Sequence, residues 1–213
     1  MRLRLCAPMV IGVVRIEPVT PGHIPALDEL FSRGDPRTCQ CAFLRMTAAE
    51  FDDADTAGRR RAHLDAIRSA HRRGSKAGHV ALDDHGPIGW VSIGPRQDFP
   101  RLDGTRLLTA TAGRMPPTEG PLWSVVCFVI ATRARRRGVA SALLRAVVDW
   151  AGGQDIAVLE GYPVDTEGQK RPGAALWHGT VRLFERAGFE VVARHRESPQ
   201  ATGRAVVRRV LAT

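Results

Sequence analysis

The chain has 213 residues, 44% of them hydrophobic and 25% charged, with a formal net charge of +9. That length is close to one domain, and such a chain can bury roughly 70% of the surface its unfolded form exposes, so its core requires no metal or disulfide staple. The composition excludes a disordered chain, a collagen-like fibre and a coiled coil, while the excess of Lys and Arg predicts anionic partners without choosing among nucleic acid, anionic lipid and phosphorylated small molecules.

Arg2 and Arg4 before a short apolar run superficially resemble a secretory leader, but no small-residue cleavage site follows, and Val13 to Val19 reads better as a first strand. We expect residues 1–12 to be an N-terminal extension and 13–213 a single domain. Ile24, Leu27, Leu30 and Phe31 share one helical face, which Gly34-Asp35-Pro36 ends. Cys39 and Cys41 follow; four cysteines are too few for a disulfide framework, and this pair is too tight for a zinc knuckle, so packed thiols are expected. Thr47 and Glu50 form a capping-box pattern. The helix predicted from Thr56 to about Arg73 is basic, and Arg59 to Arg61 read as a solvated face. His79 to Leu82 and Ile88 to Ile93 form a hairpin around Asp83 to Pro87. Pro95 to Gly120 is the longest irregular stretch, of the kind that commonly serves as a functional lid; we expect residues 95–120 to be a substrate loop.

The second half alternates more cleanly. Leu122 to Ile130 is a nearly continuous apolar run, expected as a strand covered on both faces. Ser141 to Ala151 is an amphipathic helix, Ile156 to Leu159 a buried strand ending in a Glu160-Gly161-Tyr162-Pro163 turn, and Ala174 to Ala187 a helix closed by Gly188. Phe189 to Ala193 and Ala205 to Leu211 close the chain as strands. The order predicts a mixed α/β sheet. No apolar run approaches the ~20 residues of a membrane span, and a cytoplasmic location is expected.

The segment that carries chemistry is Ile130 to Ser141, in which a buried strand enters an arginine-rich turn that opens a helix. The first N–H groups of a helix lack internal partners and suit phosphate oxygens. Gly138 permits close approach, Ala140 keeps the first helical turn uncrowded, and Arg135, Arg136 and Arg137 add charge-assisted contacts. A basic surface loop is the plain alternative.

Arg135-x-x-Gly138-x-Ala140 resembles the Q/R-x-x-G-x-G/A signature of the GCN5-related N-acetyltransferases (GNAT), with Ile130 at the required hydrophobic place before it. Leu183 to Phe189 is similar to that family's second landmark, L-Y-E-K-x-G-F. The resemblance implies a mostly antiparallel central sheet of about seven strands flanked by helices and splayed at the cofactor site. It implies acetyl-CoA as co-substrate, held by Arg135, Arg136, Arg137, Gly138, Val139, Ala140 and Ser141, with the backbone of Phe128, Val129 and Ile130 on the pantetheine arm and no metal. The reaction implied is attack of an amine on the thioester, a backbone N–H near Phe128 and Val129 stabilising the oxyanion.

At the catalytic positions the chain departs from that pattern. Ser124 stands where some relatives carry a carboxylate base, and Phe184 where many carry a proton-donating tyrosine. Glu160 is a substitute base and Tyr162 a substitute acid; His178 reads mainly as a helix-surface histidine, Cys127 as core packing, and Trp90, Trp123 and Trp177 as core or pocket walls. Two other functions stay open: a catalytically silent acyl-CoA-binding sensor, and a nucleic-acid-binding protein argued from charge alone. The latter lacks any recognisable module, so no nucleic-acid partner is expected and no membrane partner either. The acceptor is a small-molecule or protein amine, and a homodimer is left open.

Overall fold

A computed structural model describes residues 9–11, 14–198 and 201–211. Arg2, Arg4, Val13 and most of the expected 1–12 extension lie outside them. Strands β1 (Met9–Ile11) and β2 (Val14–Pro18) pair antiparallel. Helix α1 (Ile24–Phe31) buries Leu27, Leu30 and Phe31, three of the four residues expected on its apolar face. A four-residue helix α2 (Pro36–Cys39) precedes α3 (Ala48–Asp53), which opens on the predicted Thr47–Glu50 capping box. Asp55 caps α4 (Thr56–Arg72), where it accepts from Gly58 N–H. Its arginines are engaged at the protein surface: Arg59 stacks on Phe51, and Arg60 pairs with Asp28.

The hairpin is β3 (Gly78–Asp83) and β4 (Gly86–Pro95). Residues 95–120 are not structureless, because Thr105 caps a short helix α5 (Arg106–Thr111) inside them, flanked by 3-10 turns. β5 spans Leu122–Ile130, as expected, and α6 spans Val139–Ala151. Strand β6 (Val158–Gly161) starts later than the apolar run suggested, since Ala157 and Val158 N–H both donate to Pro121 O (3.0 and 3.2 Å). Glu160 and Gly161 therefore lie within the strand and not in a turn. After β7 (Val164–Asp165), the helix expected over 174–187 shrinks to α7 (Val181–Glu185). Gly179 adopts a left-handed φ of 75°, and Thr180 then acts as the helix cap, accepting from Leu183 N–H. These two residues reset the chain inside an otherwise helical apolar pattern. β8 (Glu190–His195) and β9 (Gly203–Val210) complete the sheet.

Among the described residues the sheet has nine strands, ordered β1-β2-β3-β4-β5-β6-β9-β7, with β8 on β9. The count exceeds the expected seven through the short β1 and β7. Among the described strands only β5 and β6 pair in parallel, and a single parallel bridge joins Val164 to Thr180. One core lies between the sheet and α6 and α7, with Leu143, Leu144, Val147 and Phe184 fully buried. The other lies under α1, α4 and α5, around Trp90, Phe99 and Tyr162. No helix among the described residues is long and apolar enough to cross a membrane.

β5 and β6 are paired only from Leu122 to Val125 against Val158 to Gly161. A bulge opposite Ser92 and Ile93 marks the change, with Val126 as the extra residue. Beyond it β5 runs on without β6. There, the segment 176–180 enters the opening: Phe128 N–H donates to Trp177 O (2.6 Å) and His178 Nδ1 to Val126 O (2.7 Å).

Candidate active site

Two cavities flank that segment. The first, about 750 Å³, is lined by the end of β5, the turn 132–136, the start of α6, the loop 171–180, the start of α2, and α7. Gly138, at φ 81°, is the N-cap of α6, and a Cβ built there would meet nothing within 4 Å. The first helical bond is Ala142 N–H to Gly138 O (3.0 Å), which leaves the N–H groups of residues 138–141 without backbone partners. Five arginines line this cavity, Arg135, Arg136, Arg171, Arg182 and Arg186, against one acid, Asp35. Arg171 Nε is buried and makes no hydrogen bond. Such a wall suits a polyphosphate, so the residues present fit the anionic end of acetyl-CoA.

The expected cofactor residues divide here. Phe128, Val129, Ile130, Arg135, Arg136, Ala140 and Ser141 line the cavity. Val139 is buried in the core beneath α6, Gly138 supplies the turn, and Arg137 is exposed beside it. Backbone direction separates the strand residues. Val129 is in register with Trp90 of β4, and Ala131 N–H donates to Ile88 O, so alternate residues Phe128 and Ile130 turn their polar groups toward the opening. Ile130 O accepts from Arg135 Nε (3.3 Å). Arg133 is bound to Asp83 and takes no part. Residues 35–39 and Arg171, Arg182 and Arg186 were missed by sequence reasoning; only the basic residues near α7 carried any signal. The Cys39 thiol also lines this cavity, and burial pushes it up to about 11, where it stays protonated.

The second cavity, about 570 Å³, lies on the α4 face of the sheet. Residues 100–102 and 104–107 form much of its wall, joined by Phe43, Thr47, Tyr162, His178, Glu197 and Arg204. His178 belongs to this wall and not to a helix surface, since the helix starts later. A carbonyl can only accept, so the bond to Val126 O puts the proton on Nδ1 and leaves the lone pair on Nε2. Burial and Arg204 hold its pKa down to about 4, so the ring is neutral at pH 7.

Ser124, Tyr162 and Glu160 converge, as a buried network. Ser124 and Glu160 are in register on β5 and β6, and Glu160 and Arg208 on β6 and β9. Tyr162 OH donates to Glu160 Oε1 (2.6 Å) and lies 2.8 Å from Ser124 Oγ, while Arg208 Nε donates to Glu160 Oε2 (2.6 Å). Glu160 is 2% exposed and lines neither cavity, with both oxygens engaged. Burial and the Glu160 carboxylate push Tyr162 well above the usual phenol range. Phe184 is core, edge-on to Phe128 and Phe189. Trp90 is core too, its Nε1 donating to Cys41 Sγ (3.2 Å), and Trp177 walls the first cavity.

Residues 42–171 match the model of the acetyltransferase (GNAT) family. No curated protein sequence matches the chain. Among solved structures, the ribosomal-protein-S5-alanine acetyltransferase of Vibrio fischeri superposes with a TM-score of 0.57 at 10% identity, over 96% of this chain and 97% of that one. YncA of Salmonella typhimurium, solved with its cofactor acetyl-CoA, gives 0.55 at 16% identity over 94% and 95%. A GCN5-related N-acetyltransferase of Kribbella flavida gives 0.52 at 20% identity over 93% and 98%. At these identities the likeness is one of fold.

Proposed function

The chain belongs to the GNAT acetyltransferase family, and from that premise we propose that it is an N-acetyltransferase moving the acetyl group of acetyl-CoA to an amine held in the second cavity. The observation that carries this reading is the pairing of an arginine-walled cavity at an open helix N-terminus with a second cavity across segment 176–180. Arg135, Arg136, Arg171 and the N–H groups of residues 138–141 would hold the phosphates, and Ile130 the pantetheine arm. The thioester supplies an activated acetyl group when bound.

The rest of the chemistry falls to the chain. Phe128 N–H points into the opening, where it can donate to a carbonyl oxygen that gains negative charge; Trp177 O is its partner in this structure. His178 Nε2 is the proton acceptor we assign. An alkyl ammonium has a pKa near 10.4, far above that of this ring, so it gives its first proton to water and attacks as the free amine. Once bonded to carbon the nitrogen becomes acidic, His178 Nε2 takes its second proton, and that proton can pass to the departing thiolate. Glu160 instead positions: it is an anion already neutralised by Arg208, and it fixes the Tyr162 ring at the cavity wall. Tyr162 donates its proton toward Glu160, which argues against it as the acid. The family reading extends to a single domain over 13–213, with 95–120 covering the acceptor.

One observation favours the silent sensor of the same fold, namely the occupation of Phe128 N–H by Trp177 O. The experiment that separates the two is CoA thiol release from acetyl-CoA across a panel of amines, alongside calorimetric acetyl-CoA binding. Turnover with at least one amine supports the transferase. Binding without turnover on a broad panel supports the sensor, and absence of binding overturns both.

A further inference from the structure

The second cavity is charged in a way the transfer reaction does not require. Its wall carries Arg101, Arg106 and Arg204 and a single acid, Glu197. Arg106 donates to Glu197 at 2.7 Å, so that pair cancels. Among the described residues the other two guanidinium groups have no acidic partner. Arg204 donates Nη2 to Tyr162 O (3.0 Å), and its Nε is buried and unbonded. Arg101 lies over the Phe43 ring at 4.0 Å and the Phe51 ring at 5.4 Å, with Nη1 buried and unbonded. The aromatic stack holds its plane without neutralising its charge.

Removing a guanidinium from water without a counter-charge is unfavourable, and two at one cavity repel each other as well. Both features are explained if the missing anion arrives with the ligand. An amine acceptor alone would be repelled, because its ammonium enters a positive site. An amine that also carries an anion enters as a near-neutral whole, and its amine is pushed toward the unprotonated, nucleophilic form by the same guanidinium groups.

We propose that the second cavity selects a small amine that also bears a carboxylate or a phosphate, with Arg204 and Arg101 gripping the anion and His178 facing the amine. The cavity's size suits a small molecule. This inference rests on the transferase reading only for the role of the amine; the anion grip is independent of it.

The test uses matched pairs: ethanolamine phosphate against ethanolamine, and L-lysine against its decarboxylated form 1,5-diaminopentane. Acetyl-CoA turnover should favour the anionic member of at least one pair in kcat/KM by about 100-fold, as charge-assisted bonds to two guanidinium groups allow. Which pair responds tells phosphate from carboxylate. Arg204→Met and Arg101→Met should each cut the preference about tenfold through KM, with acetyl-CoA affinity unchanged; Arg204→Lys should restore part of it. A member without the anion used equally well, or a preference that survives the double variant, overturns the proposal.

Binding gives the second readout. With the first cavity saturated by CoA, calorimetric titration should register ethanolamine phosphate or L-lysine over the partner that lacks the anion, and lose it in Arg204→Met. Should no amine turn over while this selective binding persists, the transfer reading falls and the anion grip stands. Should no anionic member bind, the grip falls whatever the turnover.

Discussion

The two cavities differ in how the chain builds them. Much of the first comes from one continuous stretch, 128–141, where a strand, a turn and a helix start follow one another. The second is gathered from residues 43, 44, 47, 48, 100–102, 104–107, 162, 178, 197 and 204, which meet only when the sheet is complete. Both are basic, but the first exposes helix N–H groups beside its arginines, whereas the second offers guanidinium groups and one neutral imidazole. A continuous motif suits a ligand that is the same for every member of a fold. A wall assembled from loops can change its ligand without disturbing that motif.

The hardest break of this division goes through the strands between the cavities. Glu160→Leu strips Arg208 of its counter-charge and Tyr162 of its acceptor in a buried setting. The loss should be about 3–5 kcal/mol of folding stability, read as a lower denaturant midpoint. Glu160→Gln should retain more of that stability, and turnover should fall less than in any His178 variant. A Glu160→Gln variant that folds normally but is inert would return Glu160 to the role of base.

Gly138→Asp attacks the first cavity alone. The added side chain has room, so the fold should survive with about 1 kcal/mol of backbone strain. A carboxylate among the N–H groups should nevertheless weaken acetyl-CoA by about 3 kcal/mol, over a hundredfold, in calorimetry. Selectivity for anionic ligands in the second cavity should be untouched. Wild-type cofactor affinity would remove the turn from the assignment.

His178→Gln separates chemistry from binding. Glutamine can still hydrogen-bond Val126 O but cannot take a proton. We expect kcat to drop about 100-fold, roughly 2.7 kcal/mol, with acetyl-CoA affinity held. An unchanged kcat would leave proton removal to water.

This contrast explains what could be read from the chain alone. The turn, Gly138 and α6 were legible because their signals are local: spacing, a strand before, an amphipathic face after. Ser124 is marked by the base position of the resembled family, and Glu160 and Tyr162 by the end of the neighbouring strand, but that Arg208 would neutralise Glu160 depends on a strand register 48 residues away. His178 falls inside the helix expected over 174–187 and closed by Gly188, whereas the left-handed Gly179 and the Thr180 cap that delay the helix start are weak signals in a sequence. Arg101 and Arg204 were invisible as a pair, since nothing in either neighbourhood points to the other.

The last predicted effect is one of pH, and it falls on both faces of the sheet. His63, between the rings of Phe31 and Trp90, and His79, against Trp150, are held neutral by burial, each with its pKa pushed down to about 3. The unfolded chain binds a proton on each near pH 6.5, and the folded chain does not, so stability is complete above pH 6.5 and is lost as pH falls toward 3. At pH 5 each contributes a loss of about 2 kcal/mol, with His178 adding to it down to about 4. Replacing His63 and His79 by Phe keeps an aromatic ring in each slot and removes the titration. The double variant should hold its Tm between pH 7 and 5 better than wild type. An identical acid profile would mean that these imidazoles bind protons in the fold, and that the packing around them is looser than the structure has it.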